Sequence, residues 1–333
     1  MEVLVPVHGL TDARQEAERM VRAGADGVFT FEGPHDVFLP LALAAAPGRS
    51  LMTNVAIAFP RNAVHLAHAA WDLQALSGGR FTLGLGAQVR THVERRFGVE
   101  FDDPVGRMQD TVEAVRAVFR SWTSGEPLEH HGRYRTHTLM TPMFTPPMGD
   151  WGAPPIHVGA LGPRMTAMAA AHADGLASMA VTSERFFTER TLPAVQAGLE
   201  QRSGELDPFE LLPELIVCTG RDERELAAAD QGCRALLGFY ASTPAYRPVF
   251  DIEGYGEVQP VAQGLTRQGR WDELSGLIDD DLLSRIAVRG SPTEVAAEVA
   301  RRYGPHARRL AIYLPYELAD DLLEELFGAL HAT

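Results

Sequence analysis

The chain has 333 residues, a length typical of one eight-stranded α/β barrel with insertions. Its formal net charge of −14 argues against nucleic acid or an anionic membrane surface as a partner. No segment reaches the roughly 20 apolar residues that span a bilayer, and we expect no signal peptide before the first strand. Two cysteines are too few for a disulfide framework, so we expect a soluble cytoplasmic protein.

Strand and helix patterns alternate along the chain. The predicted strands are residues 3–8, 27–32, 51–59, 81–87, 156–160, 175–181, 212–219 and 309–314. The predicted helices are residues 11–23, 37–46, 62–77, 103–122, 163–173, 183–202, 222–238, 293–303 and 320–330.

The alternation breaks at residues 124–155 and 239–289, two insertions rich in aromatic residues. Eight strands alternating with helices, without a shift in composition, predict one α/β domain over residues 1–333. We expect a TIM (β/α)8 barrel with insertions after the fourth and seventh βα units. A doubly wound open sheet is the main alternative, but no Gly-x-Gly-x-x-Gly motif follows the first strand.

The fourth strand has one bulky face and one bare face. Phe81, Leu83 and Leu85 point to one side, and the small residues between them, including Gly84 and Gly86, point to the other. Helices would pack on the bulky face, and the bare face leaves room for a planar ligand.

The third strand repeats this pattern, with Asn54, Ala56 and Ala58 on one face. Small inward residues on two adjacent strands suggest a flat ligand at the barrel mouth. Close packing of a core layer is the simpler explanation for the third strand alone.

Active sites of such barrels lie at the carboxyl ends of the strands. After the second strand, His35 and Asp36 form a candidate acid–base pair with Glu32 close by. Asp36 is also a good candidate for capping the next helix.

The loop after the fifth strand, residues 158–165, is a candidate anion site. Gly159 and Gly162 allow close approach of the backbone, Pro163 suits a first helical turn, and Arg164 adds charge. An ordinary strand-to-helix turn explains the same residues equally well.

The insertions supply apolar side chains that would cover the barrel mouth and favour a hydrophobic substrate. The candidates are Tyr134, Met140, Phe144, Phe239 and Tyr246, together with His92 from the loop after the fourth strand. No histidine cluster has the spacing of a metal site, so we predict no metal.

Residues 76–86 and 290–296 resemble the signature of the luciferase-like monooxygenase superfamily. Six further stretches resemble its coenzyme F420-dependent oxidoreductase branch: residues 35–41, 58–61, 70–74, 137–142, 239–248 and 268–273. The resemblance runs from about residue 20 to about residue 320.

This resemblance implies a TIM-type barrel, usually a homodimer, that binds the deazaflavin F420 or the flavin FMN at its C-terminal mouth. A non-prolyl cis peptide bond would join Asn54 to Val55, with Ala56 beside it. The remaining implied cofactor-binding residues are Asp36, Gly86, Ala87, Gln88, Gly159, Ala160, Leu161, Gly162, Pro163, Arg164, Met165, Met179 and Ala180.

Two departures restrict the reaction that the resemblance implies. Sugar-phosphate dehydrogenases of the family place a histidine where this chain has Val37, and an acidic residue near Val89. We therefore expect hydride transfer between reduced F420 and a hydrophobic organic substrate, with His35, Asp36 or a lid residue as proton source. An FMN-dependent monooxygenase that uses oxygen, and a non-catalytic family member, are the alternatives.

Overall fold

The computed structural model describes residues 1–203, 206 and 208–333. Eight parallel barrel strands follow one another in chain order. They are Glu2–Pro6, Gly27–Thr30, Ser50–Thr53, Phe81–Gly86, Ile156–Ala160, Gly175–Ser178, Glu214–Thr219 and Arg309–Tyr313.

The barrel closes through the eighth and seventh strands. Arg309 pairs with Glu2 of the first strand, and Ala311 pairs with Glu214 of the seventh. A short strand, Glu210–Leu212, pairs with the sixth strand and is separated from the seventh by Pro213. Proline has no N–H to donate, which explains why the predicted strand at 212–219 is interrupted there. The predicted TIM-type barrel is confirmed.

Helices surround the barrel largely where the sequence predicts them. They are Ala13–Arg22, Leu39–Ala44, Ala63–Ser77, Arg90–Arg95, Pro104–Ser124, Pro163–His172, Glu184–Phe186, Leu192–Leu199, Glu223–Ala241, Pro292–Tyr303 and Asp320–His331. The sequence pattern does not predict the helix Arg90–Arg95. The predicted helix at 183–202 contains a π-helical segment, Phe187–Thr191.

The insertions carry short elements. The first holds the hairpin His130–His131 and Thr136–His137 and the 3-10 helix Pro142–Phe144. The second holds Pro244–Tyr246, Arg247–Glu253, Val258–Arg267, Trp271–Leu277 and Asp280–Ile286. Two short strands, Ala56–Ile57 and Val288–Gly290, extend the sheet beside the fourth and seventh strands.

Side chains fill the barrel in three layers, because alternate residues of each strand face inward. The middle layer is apolar and consists of Leu4, Phe29, Met52, Ala177, Leu212 and Ala311. The layer at the N-terminal end is polar: Glu210 contacts His157 at 3.1 Å and Arg309 at 3.2 Å.

The third layer lies beyond the middle layer and forms the floor of a cavity at the C-terminal end. It consists of Pro6, Phe31, Asn54, Gly86, Gly159, Met179, Glu214 and Tyr313. The fold therefore places the carboxyl ends of seven strands, and the first residue of the seventh strand, around this floor.

Candidate functional site

A cavity of about 500 Å³ occupies the C-terminal mouth of the barrel. Its volume is in the range of small-molecule sites, which is about 300–1,000 Å³. Above the floor, its walls come from the loop after the fourth strand and from the second insertion.

The third strand ends in a cis peptide bond between Asn54 and Val55, as the resemblance implied. Asn54, Val55 and Ile57 line the cavity, whereas Ala56 and Ala58 are fully buried in the core beneath the helices. The structure thus corrects the expected inward face: its alternation changes at this bond, and Ala56 lies outside the cavity.

Protein side chains fill most of the space above the glycines of the fourth and fifth strands. A Cβ atom on Gly86 would overlap Val55 Cγ2, and one on Gly159 would lie 2.9 Å from Val55 Cγ1. At Gly84 a Cβ would overlap the Thr53 carbonyl oxygen and lie 3.1 Å from Met52 Cε. Val55 and Met52 therefore pack against the bare face of the fourth strand. A planar ligand at this position would contact the Val55 side chain, because no empty groove is left there.

The loop after the fourth strand lines one wall of the cavity with Gly86, Ala87, Gln88, Val89 and His92. Gln88 has a positive φ of 57°, which is uncommon for a residue other than glycine and frequent at functional sites. Its side-chain oxygen accepts a hydrogen bond from the Val89 N–H at 2.9 Å. This hydrogen bond stabilises the turn at Gln88.

The candidate anion loop contains two glycines, Gly159 and Gly162. Gly159 lines the cavity, whereas Gly162 does not. Leu161 and Met165 pack partly into hydrophobic clusters, and Ala160 is buried. Gly162 precedes the helix Pro163–His172, and the exposed segment around it includes Pro163 and Arg164. A helix N-terminus next to the cavity and an exposed arginine fit an anionic group at this rim.

Of the last two candidate cofactor residues, Met179 lines the cavity floor, and Ala180 is buried in the hydrophobic cluster that includes Val249 and Phe250 of the second insertion.

His35 and Asp36 line a smaller depression of about 250 Å³ that shares His8 and Phe31 with the main cavity. Asp36 Oδ1 accepts hydrogen bonds from the N–H groups of Phe38 and Leu39 at 2.9 and 3.2 Å. The sequence offered Asp36 as the N-cap of the next helix, but the N-cap is Phe38. Asp36 instead stabilises the turn just before the helix, and this occupies one of its oxygens.

Arg61 links this depression to the main cavity. It forms an ion pair with Glu32, a cavity-lining residue whose side chain is 8% exposed, and lies 3.6 Å from Asp36. Glu32 also accepts a hydrogen bond from the Ile57 N–H at 3.1 Å. The Arg61–Glu32 ion pair therefore links the loop after the second strand to Ile57, which follows the cis peptide bond.

Three of the six predicted substrate residues line the cavity: His92, Phe239 and Tyr246. The structure corrects the expectation for the other three. Tyr134 donates a hydrogen bond to Asp103 at 2.7 Å, Met140 accepts one from the Trp122 indole at 3.3 Å, and Phe144 is 66% exposed.

Glu214 is the main site residue that the sequence reasoning missed. It lies on the cavity floor, and its carboxyl accepts a hydrogen bond from the Tyr313 hydroxyl at 3.2 Å. Burial raises the pKa of Glu214 to about 8, although the Tyr313 hydroxyl and the nearby Asn54 amide favour the charged form. A single carboxylate within an apolar strand was the available signal.

Tyrosines surround this carboxyl, and burial is the main reason for their raised pKa values. The pKa of Tyr246 is raised to about 12, and those of Tyr240 and Tyr313 are raised further. All three side chains are therefore neutral hydrogen-bonding groups at neutral pH.

Within residues 1–203, 206 and 208–333, no cluster of three or more His, Cys, Asp or Glu side chains could hold a metal ion. In the same part of the chain, no helix is both long and apolar enough to cross a bilayer.

A closed parallel barrel whose C-terminal ends surround a large cavity is the arrangement of TIM-barrel enzymes. The family model of luciferase-like monooxygenases matches residues 3–309. The chain belongs to the luciferase-like monooxygenase family.

Relatives and a solved structure resemble most of the chain. An uncharacterised protein of Mycobacterium tuberculosis is 41% identical over 88% of this chain and 87% of its own length. Another protein of that organism, provisionally named a coenzyme F420-dependent oxidoreductase, is 29% identical over 84% of this chain and 83% of its own. The F420-dependent tetrahydromethanopterin reductase of Methanopyrus kandleri superimposes with a TM-score of 0.79 at 17% identity, covering 99% of this chain and 97% of that one.

Proposed function

We propose that this protein is an oxidoreductase that transfers a hydride between coenzyme F420 and a hydrophobic organic substrate. One observation carries the proposal: Val55 and Gly159 line one cavity, and the loop after Gly159 leads to an exposed helix N-terminus at residues 162–164. A flat ring with an anionic tail needs both features. The relative provisionally named as F420-dependent supports the choice of cofactor.

The residues present fit such a group. Val55 and the backbone of Gly86 and Gly159 would support the ring, and the segment around Gly162 and Arg164 would hold the phosphate. The chemistry that F420 would supply is hydride transfer. The protein's part is to hold the reacting groups together and exclude water.

The substrate would lie beneath the second insertion. Leu236, Phe239, Tyr240 and Tyr246 line that side of the cavity with apolar surface. These side chains favour a hydrophobic substrate.

Titration of the purified protein with F420 and with FMN tests the cofactor. We expect micromolar or tighter binding of F420 and at least tenfold weaker binding of FMN. Arg164→Ala should weaken F420 binding about tenfold, since a hydrogen bond to a charged group contributes roughly 1.5–3 kcal/mol. Arg120→Ala, an exposed arginine near the other end of the barrel, is the matched control.

The other outcomes of this titration are informative. Tighter binding of FMN with oxygen-dependent turnover would support the monooxygenase activity for which the family is named. Failure to bind either cofactor would support a non-catalytic family member.

We also propose that two copies of the chain form a homodimer. The first insertion exposes apolar side chains, among them Leu139 at 78% and Met143 at 88%, and such patches commonly mark protein interfaces. We expect light scattering to give the mass of two chains, and Met143→Glu to shift it toward one. Val261→Glu, an exposed apolar position outside this insertion, should leave the mass unchanged. A wild-type mass of one chain would contradict the proposal.

A further inference from the structure

Glu214 is a carboxyl without a counter-ion. It is buried on the cavity floor, and none of the described arginine or histidine side chains forms an ion pair with it. Its backbone N–H donates a hydrogen bond to the Ser178 hydroxyl at 3.2 Å, so the strand holds it in place. An unpaired buried carboxyl is costly as an anion and stable as a neutral acid.

Asn54 lies beside Glu214 on the same floor and is 5% exposed. Neither its side-chain oxygen nor its side-chain nitrogen has a hydrogen-bond partner within the described structure. Buried polar groups are almost always paired. The Asn54 oxygen is therefore available to a ligand, and so is its nitrogen when the neighbouring Glu214 carboxyl is protonated. A neutral carboxylic acid and an amide N–H₂ both donate hydrogen bonds, and together they fit an acceptor oxygen.

We propose that Glu214 is the acid that protonates the substrate oxygen, and that Asn54 orients this oxygen, so that the substrate is a carbonyl compound. This rests on the proposed function. In the reaction, a hydride adds to the carbonyl carbon from the two-electron-reduced deazaflavin, and the C=O π bond breaks. The O–H bond of Glu214 breaks, its proton moves to the substrate oxygen to give an alcohol, and the carboxylate regains a proton from solvent.

His35 and Asp36, the acid–base pair predicted from the sequence, line the neighbouring depression and not this floor. They therefore do not compete with Glu214 as the proton donor there. The titratable groups facing Glu214 are Tyr313 from the eighth strand and Tyr240 and Tyr246 from the second insertion. The cavity walls add four further ionisable side chains. These are His8, Glu32, His92 and Arg96.

The first test uses the protein without cofactor. In the unfolded chain Glu214 ionises near its ordinary pKa of 4.5, and in the folded chain near 8. Wild type should therefore lose stability relative to Glu214→Gln as the pH rises from about 4.5 to about 8, with a constant difference above that. We expect the thermal midpoint of Glu214→Gln to exceed that of wild type increasingly across this range, because the other ionisable groups are common to both proteins. A difference that does not change with pH would overturn the neutral-acid assignment.

The second test measures turnover of cyclohexanone, acetophenone and cyclohexenone with reduced F420. Glu214→Gln should lower kcat at least 100-fold, with the F420 Kd and the ketone KM within about threefold of wild type. Tyr313→Phe removes a hydrogen bond that lowers the pKa of Glu214, so it should move the basic limb of the pH–rate profile upward. His35→Ala should retain most of the wild-type kcat.

Several results would overturn the proposal. Glu214→Gln with more than a third of the wild-type kcat would exclude Glu214 as the acid, and loss of turnover in His35→Ala alone would assign that role to His35. If wild type binds F420 but reduces none of the three ketones, the assignment of a carbonyl substrate is overturned. The proposed function would still stand. Absence of F420 binding would overturn the proposed function itself, and with it the role of Glu214 in that reaction.

Discussion

Arg61→Met is expected to lower the free energy of unfolding by about 3 kcal/mol at neutral pH, because it leaves a buried carboxylate without its cation. Arg61 pairs with Glu32, whose side chain is 8% exposed, and donates a hydrogen bond to the Ile57 carbonyl at 2.9 Å. Chemical denaturation gives the effect directly. Because Glu32 lines the cavity, F420 binding should weaken in the same variant.

A double variant identifies the cause of this loss. Glu32→Gln in the Arg61→Met background removes the unpaired charge and should recover roughly half of the lost stability. Arg90→Met is the matched control: Arg90 pairs with Glu94 across exposed side chains, a contact worth about 0–1 kcal/mol. If Arg61→Met were no more damaging than Arg90→Met, the pair would have no structural role.

The barrel was predictable because its signals are local. In the fourth strand the bulky residues alternate with small ones, and Phe81, Leu83 and Leu85 do pack into the core beneath the helices. Helix starts were equally readable: the Asn62 side chain accepts a hydrogen bond from the Val64 N–H at 2.8 Å. Gly78 ends the same helix with a φ of 67°.

The details of the cavity floor were not predictable from local patterns. Strict alternation assigns Ala56 to the floor, whereas the structure buries Ala56 and exposes Val55 to the cavity. The space above Gly86 depends on the third strand, so the fourth strand alone cannot show what fills it. The sequence located the site and its elements, and the side chains that form its surface depend on contacts between strands.

Residues of the insertions were the least predictable. Aromatic composition suggests a lid, but Phe239 lines the cavity while Phe144 is exposed to solvent. Such segments lack the periodicity that assigns a side chain to one face. Glu214 is different, because a lone carboxylate in an apolar strand is a feature of the sequence itself.

Gly86→Ala is expected to weaken F420 binding at least tenfold and to lower the free energy of unfolding by about 2 kcal/mol. The new Cβ would overlap Val55 Cγ2, and a valine side chain has little freedom to rotate away. Val55 would have to move into the space where the ring is proposed to lie. Titration and chemical denaturation measure the two losses.

Val55→Ala in the Gly86→Ala background should restore both properties in part, since it removes the atom that the new Cβ meets. A coupling of about 1 kcal/mol or more between the two substitutions would show that Gly86 is required because of Val55. Gly162→Ala is the control in the anion loop: its φ is −72° and nothing lies within 4 Å of an added Cβ, so its stability should match wild type. If the effects of Gly86→Ala and Val55→Ala were strictly additive, Gly86 would be required for contact with the ligand itself. The ring would then pack against the backbone of the fourth strand rather than against Val55.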